Sequence, residues 1–233
     1  MFEPCKSHYE GFVFRCFNSL QQSEHLLDDL GLSTDEQEDL TQFFYSDKHA
    51  HKSSLERIAH YSEYAMVLED IQGKFTPEQW GQGRFSDGHW PTLYCAESKT
   101  TAIKEKIHYL QKFYEEDSLD TRQHAELAIS KLSIQTHAMV DLTLHQELDQ
   151  TQLSSKNSES YIYCRSIAKN CIQSGASALR SNSARDAEGF CVPIFSCEII
   201  KKDFYIQSWY KVDYFQDEVR PFQFSPRLIS KDK

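Results

Sequence analysis

The chain carries no excess of cations, no long apolar run and few backbone breakers, and each shortage removes a class of protein. Lysine and arginine number 25 against 35 aspartates and glutamates, a formal net charge of −10. Such a balance argues against general nucleic-acid binding, which needs a cationic surface to displace counterions. No stretch of about 18 apolar residues exists, so no transmembrane helix is expected. The opening segment MFEPCKSHYE has no cationic region followed by an apolar one, so a secretory signal is not expected. Seven cysteines, none spaced C-x-x-C, read as reduced thiols and place the chain in a cytosol. An effector delivered into a host cytosol would look the same. No G-x-G-x-x-G loop follows a strand, so a Rossmann site is not expected, and a P-loop is absent. His49 and His51 gain no third ligand from any pattern and read as solvated polar residues, so no metal is expected.

What is present reads as a folded α+β chain. Hydrophobic residues make up 39% and charged residues 26%, enough to build a core over 233 residues. No repeat or linker divides it, so residues 1–233 are taken as a single domain. Residues 11–17 form an aromatic and β-branched run and read as a strand. Ser33 to Glu36 resembles a helix start, with Leu40, Phe43 and Phe44 following at helical spacing. A second periodic stretch runs from Leu55 to Leu68, so two helices are expected over 33–72. Six of the fourteen glycines and prolines, Gly73, Pro77, Gly81, Gly83, Gly88 and Pro91, crowd into one segment and mark an irregular loop. Thr92 to Cys95 reads as a strand. Ser98 caps a helix whose buried face is Ile103, Ile107, Leu110 and Phe113. Residues 120–134 read as a helix or a helix-to-strand passage, and 138–142 as a buried strand. Tyr161 to Gln173 reads as a helix stopped by Gly175. Ser177 to Arg180, Val192 to Cys197 and the aromatic tail from Asp203 to Phe215 read as strands. Strands and helices mix without a βαβ beat.

Three segments carry chemistry. Gly83-Arg84-Phe85-Ser86-Asp87-Gly88 holds an arginine in a glycine-flanked loop, where its fork can reach phosphate oxygens. Leu93 to Glu105 places Tyr94 on a strand and Glu105 on the next helix, off the Ile103/Ile107 stripe and toward Ala102 and Tyr109. Ala178 to Gly189 runs from a strand into a serine-rich turn with Arg180 and Arg185, a cradle for phosphate or ribose. Each alone has a bland counterpart: a surface arginine in a turn, an exposed glutamate between Lys104 and Lys106, an ordinary polar loop.

In that order the segments resemble the RES domain, the toxin half of bacterial RES–Xre toxin–antitoxin pairs. Phe14-Arg15 resembles the family's early strand, and Gly83 to Gly88 its G-R-W-N-x-x-G loop. Leu93-Tyr94 with Ala102 to Glu105 resembles its L-Y and A-x-x-E elements. Val140 to Thr143 is similar to its central strand, and Ser183-Ala184-Arg185 to its late S-A-R turn. Phe85 stands where tryptophan is usual, and Ser86-Asp87 replace Asn-Pro. The long stretch between Arg15 and Arg84 makes residues 33–72 a helical insertion, suited to dimerisation, partner binding or a lid.

The resemblance implies an ADP-ribosyltransferase-like mixed β core with flanking helices. It implies an enzyme that degrades NAD⁺ at the nicotinamide–ribose bond, by hydrolysis or phosphorolysis, with an Xre-type antitoxin as partner. Glu105, Arg84 and Ser183 would be catalytic. Arg15, Arg84, Tyr94, Ser183 and Arg185 would bind the dinucleotide. The alternatives are mono-ADP-ribosylation of a protein and nucleotide binding without turnover.

Overall fold

The computed structural model describes residues 2–18, 52–116, 123–215 and 218–224. Nine strands and three helices longer than one turn are described there: β1 (Lys6–Asn18), α1 (Lys52–Phe75), β2 (Gln82–Gly83), β3 (Ser86–Asp87), β4 (Leu93–Ala96), α2 (Lys99–Glu116), β5 (Gln123–Asp141), α3 (Tyr161–Gln173), β6 (Ala178–Asn182), β7 (Phe190–Ile194), β8 (Tyr205–Phe215) and β9 (Glu218–Phe224). The class is α+β, with a sheet core. The first helix expected over 33–72, together with His49, His51 and the side chain of Phe113, lies outside the described residues.

Seven strands form one sheet in the order β1-β4-β7-β6-β5-β8-β9, and β1 also pairs with β5. The second pairing closes β1, β5, β6, β7 and β4 into a ring. β1 and β5 run antiparallel from Lys6↔Val140 to Asn18↔Leu127. A single pairing, Phe14↔Ala96, joins β1 to β4. The other edge of β5 is divided. Its first half pairs with β8, and its last three residues pair in parallel with β6.

Where the sequence indicates a helix or a helix-to-strand passage over 120–134, the structure has β5 from Gln123 onward. It is one strand of 19 residues, against a usual five or six. The segment alternates apolar and polar residues from Leu132 to Gln135, the period of a strand. Helix-compatible residues such as Ala125, Glu126 and Leu127 are drawn into the sheet because partners stand on both sides. β9 was also missed, its Pro221 weakening the strand signal.

Side chains sort onto two faces. On one, Val13, Leu93, Cys95, Leu132, Val192 and Ile194 meet Val67 and Ile71 of α1. On the other, Cys16, Ala96, Leu127 and Ile129 meet Ala102 and Leu110 of α2, while Val140 and Leu179 meet Cys164, Ile167, Ala168 and Cys171 of α3. Ile103 and Ile107 are only half-buried, so the buried face of α2 is rotated from the one expected, toward Ala102. α3 ends as the sequence indicates, with Gly175 at φ +86°.

Candidate functional site

On the second face a cavity opens between α2 and the β6–β7 edge. About 620 Å³ of space there is free of atoms, part of it open to solvent. Four residues of α2 border it: Ala102, Glu105, Lys106 and Tyr109. Their spacing of i, i+3, i+4, i+7 is one face of a helix. The sequence reading placed Glu105 toward Ala102 and Tyr109, and the structure has it there. The remaining walls include Arg15 and Cys16 of β1, Tyr94 of β4, Ser181 and Asn182 of β6, Cys191 of β7, and Arg84 with Phe85 from the β2–β3 hairpin.

The helix that carries Glu105 is fixed at its start. Ser98 Oγ accepts the N–H of Thr101 at 3.0 Å, an N-cap. Thr101 Oγ1 and Lys104 Nζ donate to Asp186 at 2.7 and 2.8 Å, tying α2 to the 183–189 turn. Those two bonds, Lys104 first, hold the Asp186 carboxyl below its ordinary pKa. Gly189 lets the turn approach. A Cβ there would collide with Thr101 Oγ1 and lie 2.8 Å from Asp186 Oδ2.

Glu105 receives two donors on one oxygen. Ser183 Oγ donates a short hydrogen bond to Oε1, and Cys191 Sγ donates to the same atom at 3.4 Å. Burial, then the charge of Glu105, pushes the Cys191 thiol pKa well up, so it remains a neutral donor. Ser183 Oγ also accepts from the N–H groups of Arg185 and Asp186, both at 3.1 Å. Ser183 thus lies directly against Glu105.

The Arg84 loop is a tight hairpin, with Gly83↔Ser86 paired and Arg84-Phe85 at its tip. The irregular loop expected here is therefore ordered by its polar side chains. Phe85 N–H donates to Tyr94 Oη at 3.0 Å, and Trp90 Nε1 donates to Phe85 O at 3.0 Å. Ser86 Oγ donates to Gly81 O at 2.9 Å. Gly83 is required because a Cβ would sit 2.5 Å from Tyr94 Oη. Burial raises the Tyr94 pKa, so its hydroxyl stays neutral.

The arginines differ in what remains free on each. Arg84 is buried, and its two terminal nitrogens donate to Leu153 O at 2.7 Å and Ser155 O at 2.8 Å. Arg15 Nε and Nη2 donate to Asp70 of α1 at 2.9 and 3.1 Å, and Nη1 donates to Tyr94 O at 3.2 Å. Burial opposes the charge of Arg15, and Asp70 more than restores it. Beside it, burial first and then Arg15 lower the pKa of Lys106. Arg185 Nη2 meets His108 Nε2 at 2.6 Å, while its Nε and Nη1 are buried without a partner. Arg185 is not among the residues bordering the cavity. Arg180 lies apart, bonded to Glu97 at 2.8 and 3.1 Å and to Asp141 at 3.0 Å, where it pins the ends of three strands.

Arg15, Arg84, Tyr94 and Glu105 thus share one cavity, with Ser183 behind Glu105. The sequence reading missed Lys106, Tyr109, Ser181, Asn182 and Cys191. The helical spacing of α2 could have supplied the first two. Nothing in the sequence distinguishes Cys191 from the other thiols. Among the described residues no group of three His, Cys, Asp or Glu side chains gathers as for a metal, and no described helix is long and apolar enough to cross a membrane.

Comparison with known proteins gives the chain a family. No curated protein matches the chain. Among solved structures, the M. tuberculosis MbcT–MbcA toxin–antitoxin complex is similar at 10% identity, with 90% of this chain and 87% of that one covered and a TM-score of 0.46. The model of the RES domain family matches residues 54–209. That span holds Arg84, Tyr94, Glu105, Ser183 and Cys191 and leaves β1 with Arg15 outside it. Since the match takes in more than half of the chain, the protein belongs to the RES domain family.

Proposed function

We propose that this protein is a toxin that cleaves the nicotinamide–ribose bond of NAD⁺, with water or phosphate as acceptor, on a fold of the ADP-ribosyltransferase type. The observation that carries the reading is the carboxylate of Glu105. It lies in a mostly apolar cavity with both fixed donors on Oε1, which leaves Oε2 for the substrate.

Nicotinamide leaves as a neutral molecule from a cationic ring, so the departing group needs no proton. As the C–N bond lengthens, its electron pair goes to the ring and positive charge grows on the ribose. A carboxylate held against that charge lowers the barrier. Water or phosphate then bonds to the anomeric carbon, and water releases a proton. Holding Oε1 fixes where Oε2 sits, so little reorganisation is needed during reaction. Arg15 and Arg84 border the cavity and offer two positive charges to the pyrophosphate, whereas Arg185, the third arginine of the resemblance, lies outside its walls. The Tyr94 ring offers a face to the pyridinium. A protein antitoxin of the Xre type is the expected partner.

The test is nicotinamide release from NAD⁺ by purified protein, with and without phosphate. Glu105→Gln should reduce turnover by at least about a hundredfold, as removal of an electrostatic stabiliser does elsewhere, with unchanged circular dichroism. Absence of release from the wild type refutes the reading. Transfer of labelled ADP-ribose to protein would replace water or phosphate by a side-chain acceptor.

A further inference from the structure

Two serines of the late segment, two residues apart, are in opposite hydrogen-bonding states. A serine hydroxyl has one proton to give and two lone pairs to receive. Ser183 has used all three, donating to Glu105 and accepting from Arg185 and Asp186. It is not among the residues that border the cavity. Ser181 is 0% exposed and borders the cavity, and its Oγ has no hydrogen-bond partner. A buried hydroxyl without a partner is uncommon and unfavourable in a protein that binds nothing there.

Register places Ser181 beside the reacting centre. It stands directly opposite Cys191 in the β6–β7 pair, so the two side chains share a face of the sheet. Cys191 is the residue whose thiol holds Glu105. A ligand group meeting Ser181 therefore lies close to the bond that Glu105 acts on.

We infer that Ser181, and not Ser183, is the hydroxyl that touches the substrate, bonding a hydroxyl of the reacting ribose, while Ser183 is a positioning residue that acts through Glu105. This rests on the NAD⁺-cleavage reading above. A ribose hydroxyl both gives and takes a hydrogen bond, as the free hydroxyl of Ser181 does. It also sits within two carbons of the anomeric centre, whereas the carboxamide of nicotinamide lies across the ring.

The experiment compares wild type, Ser181→Ala, Ser181→Cys and Ser183→Ala with NAD⁺ and with its 2′-deoxy and 3′-deoxy nicotinamide-ribose analogues. Ser181→Ala should raise KM for NAD⁺ about tenfold, the equivalent of one neutral hydrogen bond, with kcat and its pH profile little changed. Ser181→Cys, nearly the same shape with a weaker donor, should fall between. One of the two deoxy analogues should show no difference between wild type and Ser181→Ala. Ser183→Ala should instead lower kcat with KM little changed, because Glu105 loses a donor that holds its carboxylate in place. An active wild type with unchanged KM in both Ser181 variants overturns the assignment, as does an equal penalty with all three substrates. A wild type that does not cleave NAD⁺ overturns the functional reading itself, and the ribose assignment with it.

Discussion

Replacing Asp70 by alanine removes both acceptors that α1 offers to Arg15. The pair is largely shielded, with side chains 15% and 14% exposed and the shortest N···O distance 2.9 Å. In the variant Arg15 keeps only the carbonyl of Tyr94, at 3.2 Å, and a buried cation is left with one neutral acceptor. Breaking a buried pair from one side costs about 3–5 kcal/mol, and the residual solvent contact points to the lower end, about 3 kcal/mol. For a chain of this size each kcal/mol corresponds to about 2–4 °C in Tm, so the fall should be roughly 6–12 °C. Urea unfolding gives the free energy directly, and an unchanged m-value would show that the compactness of the two states is preserved. The double variant Arg15→Met/Asp70→Leu should recover most of the loss, since no charge is then stranded. A loss below about 1 kcal/mol in Asp70→Ala, or a double variant weaker than the single one, would refute this account of how α1 is anchored to the ring.

Other consequences can be checked separately. Gly189→Ala should destabilise the protein and reduce turnover together, because the added Cβ meets Thr101 at the start of the helix that bears Glu105; an unaffected rate would mean that the turn yields without moving α2. Of the seven cysteines only Cys5 and Cys197 are exposed, and burial pushes Cys16, Cys95 and Cys171 up to about 12 and Cys164 to about 11. Two thiols should therefore react with a thiol reagent at pH 8 in the native state and seven after unfolding, and a third fast native thiol would contradict the packing. Asp186 has a folded pKa below its ordinary 3.8, so its contribution is complete above that value and is lost as pH falls through the folded pKa. The stability gap between wild type and Asp186→Asn should accordingly narrow below about pH 4, and a gap constant down to pH 2 would remove the ion pair from the explanation.

Local chemistry made some features legible in the sequence. Ser98 as a cap, Gly175 as a helix stop and the off-stripe position of Glu105 follow from rules acting within one or two turns, and the structure has all three. Of β5 only the end, covered by 138–142, reads as a strand in the sequence, because the first half is held by β1 and β8, which lie far away along the chain. The site divides in the same way. Glu105 and Arg84 stand out only through the order of their segments and the family resemblance that order carries, since each neighbourhood alone has a bland counterpart. The pairing of Arg15 with Asp70, the use of Arg84 on the carbonyls of Leu153 and Ser155, and the hold of Cys191 on Glu105 all join residues more than 50 positions apart. Pairings at that range leave no periodicity to read.

The sequence separations around the carboxylate also bear on synthesis. Ser183 and Cys191 follow Glu105 by 78 and 86 residues, and β1 stays without its long partner until the ribosome has passed Asp141. Such non-local closure is slow, and domains emerge from the N-terminus first. A nascent chain that already displays Glu105 therefore has neither its two donors nor a closed ring. Until most of it has been made, the ribosome-bound chain lacks the site that the folded protein carries, and any activity of that site can begin only when synthesis is nearly complete.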